Sequence, residues 1–462
     1  MAGVGFVLRR LAERDDLGSR FGAWSAAAAI TSGPWLMTVL AILGSEHWGR
    51  LHLAPWAHES FRVVLSWNFC LSIVLAAPFA LLATRLAADD LYLRRPGLLS
   101  GGFVALTRLA LLAALPVALL LWGFLTDLPL ETRIVAIANF MALTALWMVL
   151  GYLSVLRDHV LVLSSFLAGT AIATVLAALA GAAGGATMLI GAFTIGLTIT
   201  LMLAAMRLLY EFPPQTRDWA ELRASIRPYR VLAVVGLLGA AAPWMDKWVH
   251  WAGPLAELTT PGLPNRPTYD SAMFVASLAL VPGMALFFVK LETELFRAWR
   301  SFFDSLLTGA SLAELDGLRR NLAEVVARGA LSLLLLQALV AALGVLAAPL
   351  LVSAGILTQA QAPIFRLGVM AAPFHTLFLA AMVVLAYLDA RRDQLWAVTV
   401  FLLLNGGLTT ASLAFGLEAS GWSYLLAAMI AAGFATALLG RALHRLLYLV
   451  FIVHNPAVRP HS

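Results

Sequence analysis

Apolar residues occur in long runs along almost the whole chain, separated by short polar stretches. A helix needs about 20 consecutive apolar residues to cross the hydrocarbon core of a bilayer. Twelve runs meet this test, and we predict them as transmembrane segments one to twelve, at 23–44, 63–84, 103–125, 134–155, 160–181, 187–209, 230–252, 271–291, 329–352, 364–388, 395–417 and 422–444.

The composition agrees with a polytopic membrane protein. Of the 462 residues, 61% are hydrophobic and 12% are charged, whereas soluble domains have roughly 45–50% apolar and about 25% charged residues. The single cysteine, Cys70, excludes an intramolecular disulfide and a thiol-based metal site. The chain has no phosphate-binding loop of the GxxxxGK[ST] type and no nucleophile constellation. We therefore predict a transporter, not an enzyme, with no cofactor, no metal and no nucleic-acid partner.

The distribution of Lys and Arg predicts the topology. The polar N-terminus, with Arg9, Arg10, Arg14 and Arg20, precedes a run long enough to span, so segment one is predicted to be an uncleaved helix. If the N-terminus is cytoplasmic, most of the basic residues fall in cytoplasmic loops, in agreement with the positive-inside rule. An even number of segments then places both termini in the cytoplasm.

A faint internal repeat divides the segments into halves. Pro34-Trp35 lies in segment one and Pro243-Trp244 in segment seven. Segments two and eight both end in Ala-Leu, a base, Leu and an acid at the same spacing, at 80–89 and 285–294. Two helices interrupted at corresponding places indicate a central transport path. Because each half has six segments, the sequence predicts an all-α protein of two six-helix bundles, related by a parallel pseudo-repeat around a central cavity.

The predicted domain limits follow from that repeat. Residues 1–210 would form the N-terminal bundle, residues 211–229 a cytoplasmic linker, and residues 230–462 the C-terminal bundle.

Segment seven carries the strongest candidate site. Asp246 is the only one of the 25 acidic residues that lies inside a predicted segment, and such a charge is usually functional. Pro243 interrupts the helix just before it. We expect Asp246 and Lys247, as neighbours on a helix, to point about 100° apart and not to face each other. The predicted substrate path comprises Pro34, Trp35, Pro243, Trp244, Asp246, Lys247 and His375.

Several of these residues also have an ordinary structural explanation. Lys247 lies near the outer boundary and could be an interfacial anchor, and Asp246 could be structural too. His375, near the middle of segment ten, could be a hydrogen-bonded packing residue instead of a proton relay. Interhelical hydrogen bonds would explain Asn68, Asn139 and Asn405 adequately.

The longest cytoplasmic loop, 292–328, is the candidate for partner binding. Ser311 and Glu314 have the spacing of a capping box and begin an amphipathic helix. This helix could lie on the lipid headgroups, or it could dock a cytoplasmic partner through Arg319 and Arg320.

The opening residues 1–10, Ser32-Gly33-Pro34-Trp35, Pro243-Trp244-x-Asp246-Lys247-Trp248 and Lys290-Leu291-Glu292-Thr293 resemble the PelG family. This family is the inner-membrane transport subunit of bacterial Pel exopolysaccharide synthesis. The resemblance runs from residue 1 to segment twelve, with Val7 at a position where the family commonly has glutamate.

The resemblance has implications for fold, substrate and partners. It implies the fold of the multidrug/oligosaccharidyl-lipid/polysaccharide exporter (MOP) superfamily and a location in the bacterial inner membrane. It implies a hexosamine-rich, partly cationic polysaccharide as substrate. The implied partners are the membrane proteins PelD and PelE and the glycosyltransferase PelF.

Other functions stay open on the sequence. A flippase for a lipid-linked oligosaccharide would use the same fold. A cation-coupled multidrug antiporter is disfavoured because only segment seven carries an intramembrane acid. A membrane glycosyltransferase or ligase is disfavoured by the small loops.

Overall fold

The computed structural model describes residues 33–48, 55–156, 159–180, 185–212, 215–260, 262–416 and 421–453. Those residues are almost entirely helical. The helices, in chain order, are α1 (33–48), α2 (Pro55–Tyr92), α3 (Gly97–Leu119), α4 (Leu130–Leu156), α5 (His159–Ala180), α6 (Gly185–Glu211), α7 (Trp219–Ile226), α8 (Arg230–Ala241), α9 (Met245–Trp251), α10 (Pro267–Ser277), α11 (Leu280–Lys290), α12 (Phe296–Leu307), α13 (Leu312–Ser353), α14 (Gln361–Tyr387), α15 (Arg391–Ala414), α16 (Trp422–His444) and α17 (Leu446–Tyr448).

Short irregular turns extend or join several of these helices. Turns of π-helix follow α3, α11 and α17, at Leu120–Phe124, Leu291–Leu295 and Leu449–Val453. Turns of 3₁₀-helix precede α8 and α9, at Arg227–Tyr229 and Ala242–Trp244. Proline sits at the second position of both 3₁₀ turns, where its fixed φ and missing N–H are tolerated.

Eleven helical stretches within the described residues are long and apolar enough to cross a membrane. They correspond one by one to predicted segments two to twelve, so the prediction of a multi-pass, helical membrane protein is confirmed. Segment one, 23–44, lies partly outside the described residues, which contain its continuation as α1. The described residues therefore show eleven of the twelve predicted crossings, and the crossing by segment one stays a prediction.

Residues 33–266 form one compact unit, called here the N-terminal unit. Small residues bring α5 and α6 close together, since a Cβ on Gly169 would lie 2.4 Å from the carbonyl oxygen of Gly196. Such close backbone approach is typical of helix pairs in membranes. Large buried side chains, including Phe61, Trp122, Phe140 and Phe193, fill the interior of the unit.

A buried polar network crosses this apolar interior. The Asn68 amide donates to Asn139 Oδ1 and to the Ala136 carbonyl, each at 2.9 Å. Trp122 Nε1 donates to Asn68 Oδ1 at 2.9 Å, and the Asn139 amide donates to Thr194 Oγ1 at 3.1 Å. The prediction that interhelical hydrogen bonds explain Asn68 and Asn139 is therefore confirmed. The network joins α2, the π-helical turn after α3, α4 and α6.

A small β-hairpin was not predicted. Strands β1 (Glu257–Thr260) and β2 (Leu263–Asn265) pair antiparallel in the stretch expected to be a loop. Gly262 has φ +83°, a backbone conformation that favours glycine. A Cβ at Gly262 would lie 2.1 Å from the Leu125 carbonyl oxygen, so glycine also lets the turn pack against Leu125, which follows the π-helical turn after α3.

The described residues from Pro267 onward form a second compact unit, the C-terminal unit. Helix α14 is largely buried, with small residues such as Ala371, Ala372 and Ala381 along its length. Helices α10 and α11 are separated by a short break at residues 278–279. A side chain of α13 stabilises this break by a hydrogen bond. The buried Gln337 amide donates to the Ala279 carbonyl at 3.1 Å, and Gly283 leaves room for it, because a Cβ there would lie 2.0 Å from Gln337 Nε2.

The predicted loop 292–328 is instead helical, which corrects the sequence analysis. Helix α12 and the start of α13 form a helical hairpin joined by residues 308–311, called here the α12–α13 hairpin, and Gly309 takes a φ of +80° in its turn. Ser311 caps α13 by accepting a hydrogen bond from the Glu314 backbone N–H at 3.3 Å, as predicted.

The amphipathic stretch is not a separate helix. It is the first part of α13, which continues without a break into the membrane-spanning region as a 42-residue helix. Its length of about 63 Å is roughly twice the hydrocarbon thickness. The apolar face of this first part packs within the protein, since Leu315 and Leu322 are buried.

Candidate functional site

The site begins at the interruption of segment seven. Helix α8 ends at Ala241, one 3₁₀ turn contains Pro243, and α9 starts at Met245. The interruption predicted from Pro243 is therefore present, as a tightened turn. It positions Asp246 in the first turn of α9, where a negative charge is favoured by the helix dipole.

Asp246 and Lys247 form an ion pair, which corrects the expectation that they would not face each other. Lys247 Nζ lies 3.5 Å from Asp246 Oδ2 and 3.4 Å from the Pro243 carbonyl oxygen, and it sits 5.3 Å from the centre of the Trp244 ring. The long lysine side chain folds back toward the N-terminus of α9, as helical side chains tend to do. Asp246 is completely buried, whereas the Lys247 side chain is 16% exposed.

A second pair lies one turn further along α9. Arg266 Nη1 is 2.5 Å from His250 Nδ1, and both residues are buried. A guanidinium can only donate, so His250 Nδ1 accepts and the imidazole is neutral with its proton on Nε2. Asp246 lies four residues before His250 on α9, so the two side chains are on the same face of the helix. We call Asp246, Lys247, His250 and Arg266 the α9 cluster.

Sequence reasoning missed Arg266 as a member of this cluster. The β-hairpin turns the chain back so that Arg266, directly after β2, reaches His250. The Pro261-Gly262 dipeptide was the available signal, because Pro-Gly is typical of a tight turn.

Tryptophans fix α9 against α2. Trp67 and Trp251 have ring centres 4.6 Å apart, and Trp67 Nε1 donates to the Pro264 carbonyl of the hairpin at 3.1 Å. Trp248 Nε1 donates to Cys70 Sγ at 3.5 Å. These contacts hold α2, α9 and β2 together, and so they fix the helix and the strand that carry the residues of the α9 cluster.

The remaining predicted path residues lie on other helices. Pro34 and Trp35 begin the described part of α1, which contacts α5 through a hydrogen bond from Thr170 Oγ1 to the Met37 carbonyl at 2.9 Å. His375 lies in the C-terminal unit, where its Nδ1 is 2.5 Å from the Tyr424 hydroxyl and its ring packs edge-on against Phe401. That environment matches the packing role the sequence also allowed. The role of these residues in a substrate path stays a prediction.

The predicted docking residues lie on the first part of α13. Asp316 binds Arg319 at 2.8 Å and Arg320 at 2.5 Å. The Arg319 side chain is mostly buried at 13% exposed, whereas Arg320 is 71% exposed. Arg320 is thus the better placed of the two to meet a partner.

Another charged cluster, missed by the sequence analysis, fastens the linker to the end of α2. Arg217 Nη1 lies 2.7 Å from Asp90 Oδ2, with both side chains less than 5% exposed. Next to them, the Tyr229 hydroxyl donates to Asp89 Oδ2 at 2.5 Å, and the Arg85 guanidinium lies over the Tyr229 ring. Both ends of the described linker are therefore held on α2.

Comparison with known proteins decides the family. The family described as "PelG: Putative exopolysaccharide Exporter (EPS-E)" matches residues 1–451, nearly the whole chain. The chain belongs to the PelG family. No match to a curated protein accompanies this assignment.

Solved structures establish the fold shared by this PelG-family chain. It is similar to a MATE in the bent conformation, with a TM-score of 0.64 and 14% identity over 96% of this chain and 98% of the other. It is also similar to an outward-facing multidrug resistance MATE family transporter of the MOP superfamily, with a TM-score of 0.66 and 12% identity over 96% and 98%. A MOP superfamily transporter from Pyrococcus furiosus, described by the reverse polarity of its binding pocket, matches with a TM-score of 0.64 and 13% identity over 91% and 96%.

The PelG-family sequence motifs and the described site overlap in part. The Pro243–Trp248 motif forms the interrupted helix and half of the α9 cluster. The opening motif, including Val7, lies outside the described residues. Within the described part of the chain, no three His, Cys, Asp or Glu side chains are grouped as metal ligands.

Proposed function

We propose that this chain translocates a Pel-type, hexosamine-rich exopolysaccharide across the bacterial inner membrane, with both termini in the cytoplasm. The observation that carries the proposal is the family match over residues 1–451. The transporter fold of the structural neighbours supports it. In this proposal the protein acts as a transport subunit and catalyses no reaction.

The chain would act in a complex with the membrane proteins PelD and PelE and the glycosyltransferase PelF. The α12–α13 hairpin supports this part of the proposal, because it extends α13 well beyond the length that a membrane crossing needs. Arg320 offers an exposed charge there.

Asp246 is proposed to act on the polymer from the substrate path. Its carboxylate is neutralised in part by Lys247 at 3.5 Å, and a chain carrying amino groups could exchange with that lysine. A weak, exchangeable contact suits transport, because the polymer must leave each site as readily as it enters. The buried position of Asp246 requires that the path opens to the cluster during transport.

The test is export by living cells. A strain that makes the polymer and lacks this chain should secrete none, and the wild-type chain should restore secretion, measured as hexosamine in the purified extracellular polymer. Normal secretion without the chain would overturn the proposal.

Variants then test the role of Asp246. Asp246→Asn should reduce secretion at least tenfold at equal amounts of folded protein, because it removes the charge and keeps the shape. Asp246→Glu should retain most of it, and Lys247→Gln should have a smaller effect than Asp246→Asn. Full secretion by a normally expressed Asp246→Asn protein would remove Asp246 from the path and leave the family-level function standing.

A further inference from the structure

Two adjoining cavities lie in the C-terminal unit beside the π-helical turn Leu291–Leu295. One has a volume of about 360 Å³, and the other is an open cleft of about 820 Å³. They share Lys290, Glu294 and Val325 in their walls. Turns of π-helix inside longer helices are frequent at functional sites. The two cavities therefore adjoin at these three residues and are treated together as one candidate site.

The smaller cavity is walled mainly by apolar side chains. Leu286, Phe287, Leu333, Leu377 and Leu439 contribute from α11, α13, α14 and α16. Its volume lies within the range of roughly 300–1,000 Å³ that is usual for ligand sites. The charged and titratable groups in its wall are Lys290, Glu294, Arg319 and His444. An uncharged, water-avoiding group would fit the deeper part.

The cleft is basic and polar. Among the described residues, its walls carry Lys290, Arg297 and Arg328 against one acid, Glu294. The Lys290 ammonium is compensated by Glu294 at 2.6 Å, and the Arg297 guanidinium donates to the Thr293 carbonyl. Among the described residues, the Arg328 side chain has no hydrogen bond or ion pair. Two arginines therefore stand in the cleft without a carboxylate partner in the described structure, and arginine suits phosphate by its planar fork of donors.

We propose that this site binds an anionic lipid phosphate, with the apolar chain in the 360 Å³ cavity and the phosphate between Arg297 and Arg328 in the cleft. The division of the site into an apolar cavity and a basic cleft matches the apolar chain and the charged headgroup of such a molecule. The basic cleft lies on the side of the bilayer that the distribution of Lys and Arg in the loops predicts to be cytoplasmic. The inference does not depend on which polymer the chain exports.

The test measures binding to the purified full-length protein in detergent by native mass spectrometry. The probes are phosphatidylglycerol, a long-chain polyprenyl phosphate, phosphatidylcholine and inorganic phosphate. The combined Arg297→Gln, Arg328→Gln variant should bind the first two probes at least tenfold more weakly. Arg300→Gln is its matched control, because Arg300 lies on the same helix, pairs with Asp304 and is absent from both cavity walls.

A second variant tests whether the smaller, apolar cavity holds the lipid chain. Gly440 lines the smaller cavity, and a Cβ there would meet no atom within 4 Å, so Gly440→Leu should fill that cavity and weaken lipid binding at least tenfold. Gly433→Leu is the matched control, on the same helix, with open space at its Cβ and outside both cavity walls. Unfolding temperatures of all four variants check that each is folded.

The probes separate the sources of the ligand. Loss of phosphatidylglycerol binding in both test variants would identify a membrane phospholipid, and loss of polyprenyl phosphate binding alone would identify a carrier lipid; either supports the proposal. Equal binding of phosphatidylcholine, displacement of the lipid by inorganic phosphate alone, or wild-type binding by both test variants would overturn it.

Discussion

Arg217, in the linker, and Asp90, at the end of α2, form a buried ion pair although 127 residues separate them in sequence. The distance between Arg217 Nη1 and Asp90 Oδ2 is 2.7 Å, and the side chains are 3% and 4% exposed. Arg217 also donates to Ser225 Oγ at 3.1 Å. The pair fixes the start of α7 to α2, so the linker is part of the folded N-terminal unit.

Removal of one partner of this pair should destabilise the protein. Asp90→Asn leaves the buried Arg217 charge with one described counterion, Glu221, which is 3.8 Å away and 42% exposed. Loss of one partner of a buried pair typically costs about 3–5 kcal/mol. Thermal unfolding of the purified protein in one detergent, followed by tryptophan fluorescence, measures the effect. Arg207→Gln is the control, because its pair with Glu211 is partly exposed and should contribute about 1 kcal/mol or less.

The double variant Asp90→Leu, Arg217→Met should regain most of the lost stability, since replacing both ions removes the uncompensated charge. If Asp90→Asn unfolds at the same temperature as Arg207→Gln, the buried pair does not stabilise the linker.

The α10–α11 break should depend on Gln337. Its side-chain amide donates to the carbonyls of Ala279 and Leu280, at 3.1 and 3.5 Å. Gln337→Leu leaves these carbonyls without that donor and should cost about 1–3 kcal/mol. Gly283→Ala should also destabilise, because its Cβ would lie 2.0 Å from Gln337 Nε2.

A double-mutant cycle tests whether the two effects share one cause. In the Gly283→Ala, Gln337→Ala protein the clash is absent, so its loss of stability should be smaller than the sum of the losses measured for Gly283→Ala alone and Gln337→Ala alone. Strict additivity in thermal unfolding would show that Gly283 and Gln337 act independently.

The hairpin turn should tolerate no side chain at position 262. Gly262→Ala combines an unfavourable positive φ, costing roughly 1–2 kcal/mol, with a Cβ 2.1 Å from the Leu125 carbonyl oxygen. Gly309→Ala is the matched control, because φ there is also positive, at +80°, and its Cβ would meet open space. The difference in unfolding temperature between the two variants measures the clash alone. Equal temperatures would mean that the turn does not pack tightly on Leu125.

The spanning helices were predictable from the sequence because length and apolar content alone decide them in a bilayer. Segments two to twelve all have counterparts. The repeat also has a structural counterpart. Arg85 and Asp89 lie 3.4 Å apart, and Lys290 and Glu294, at the matching positions of segment eight, lie 2.6 Å apart. Both are pairs four residues apart on a helix, so the shared spacing of base and acid has a local physical cause.

The contacts of the site depended on information that local patterns lack. The pairing of Arg266 with His250 needs the hairpin to return the chain. The pairing of Arg217 with Asp90 needs the linker to pack against the end of α2, which is distant in sequence. The Asp246–Lys247 pair was excluded by helical angle, although a lysine side chain is long enough to fold back across that angle. The compact unit that ends at Arg266 includes α8 and α9, and the predicted domain limits stay a prediction.

Docking of the synthesis partners should depend on Arg320, which is 71% exposed on the first part of α13. Arg320→Glu reverses an exposed charge and places it four residues from Asp316 with the same sign. Surface charges mainly steer and orient association, so we expect at least a fivefold loss of PelD, PelE or PelF recovered with the tagged chain from solubilised membranes. The matched control is Arg207→Glu, which reverses another partly exposed arginine paired four residues away and lies outside the α12–α13 hairpin. Equal recovery of all three partners with the Arg320→Glu and wild-type chains would show that this part of α13 is not the docking surface.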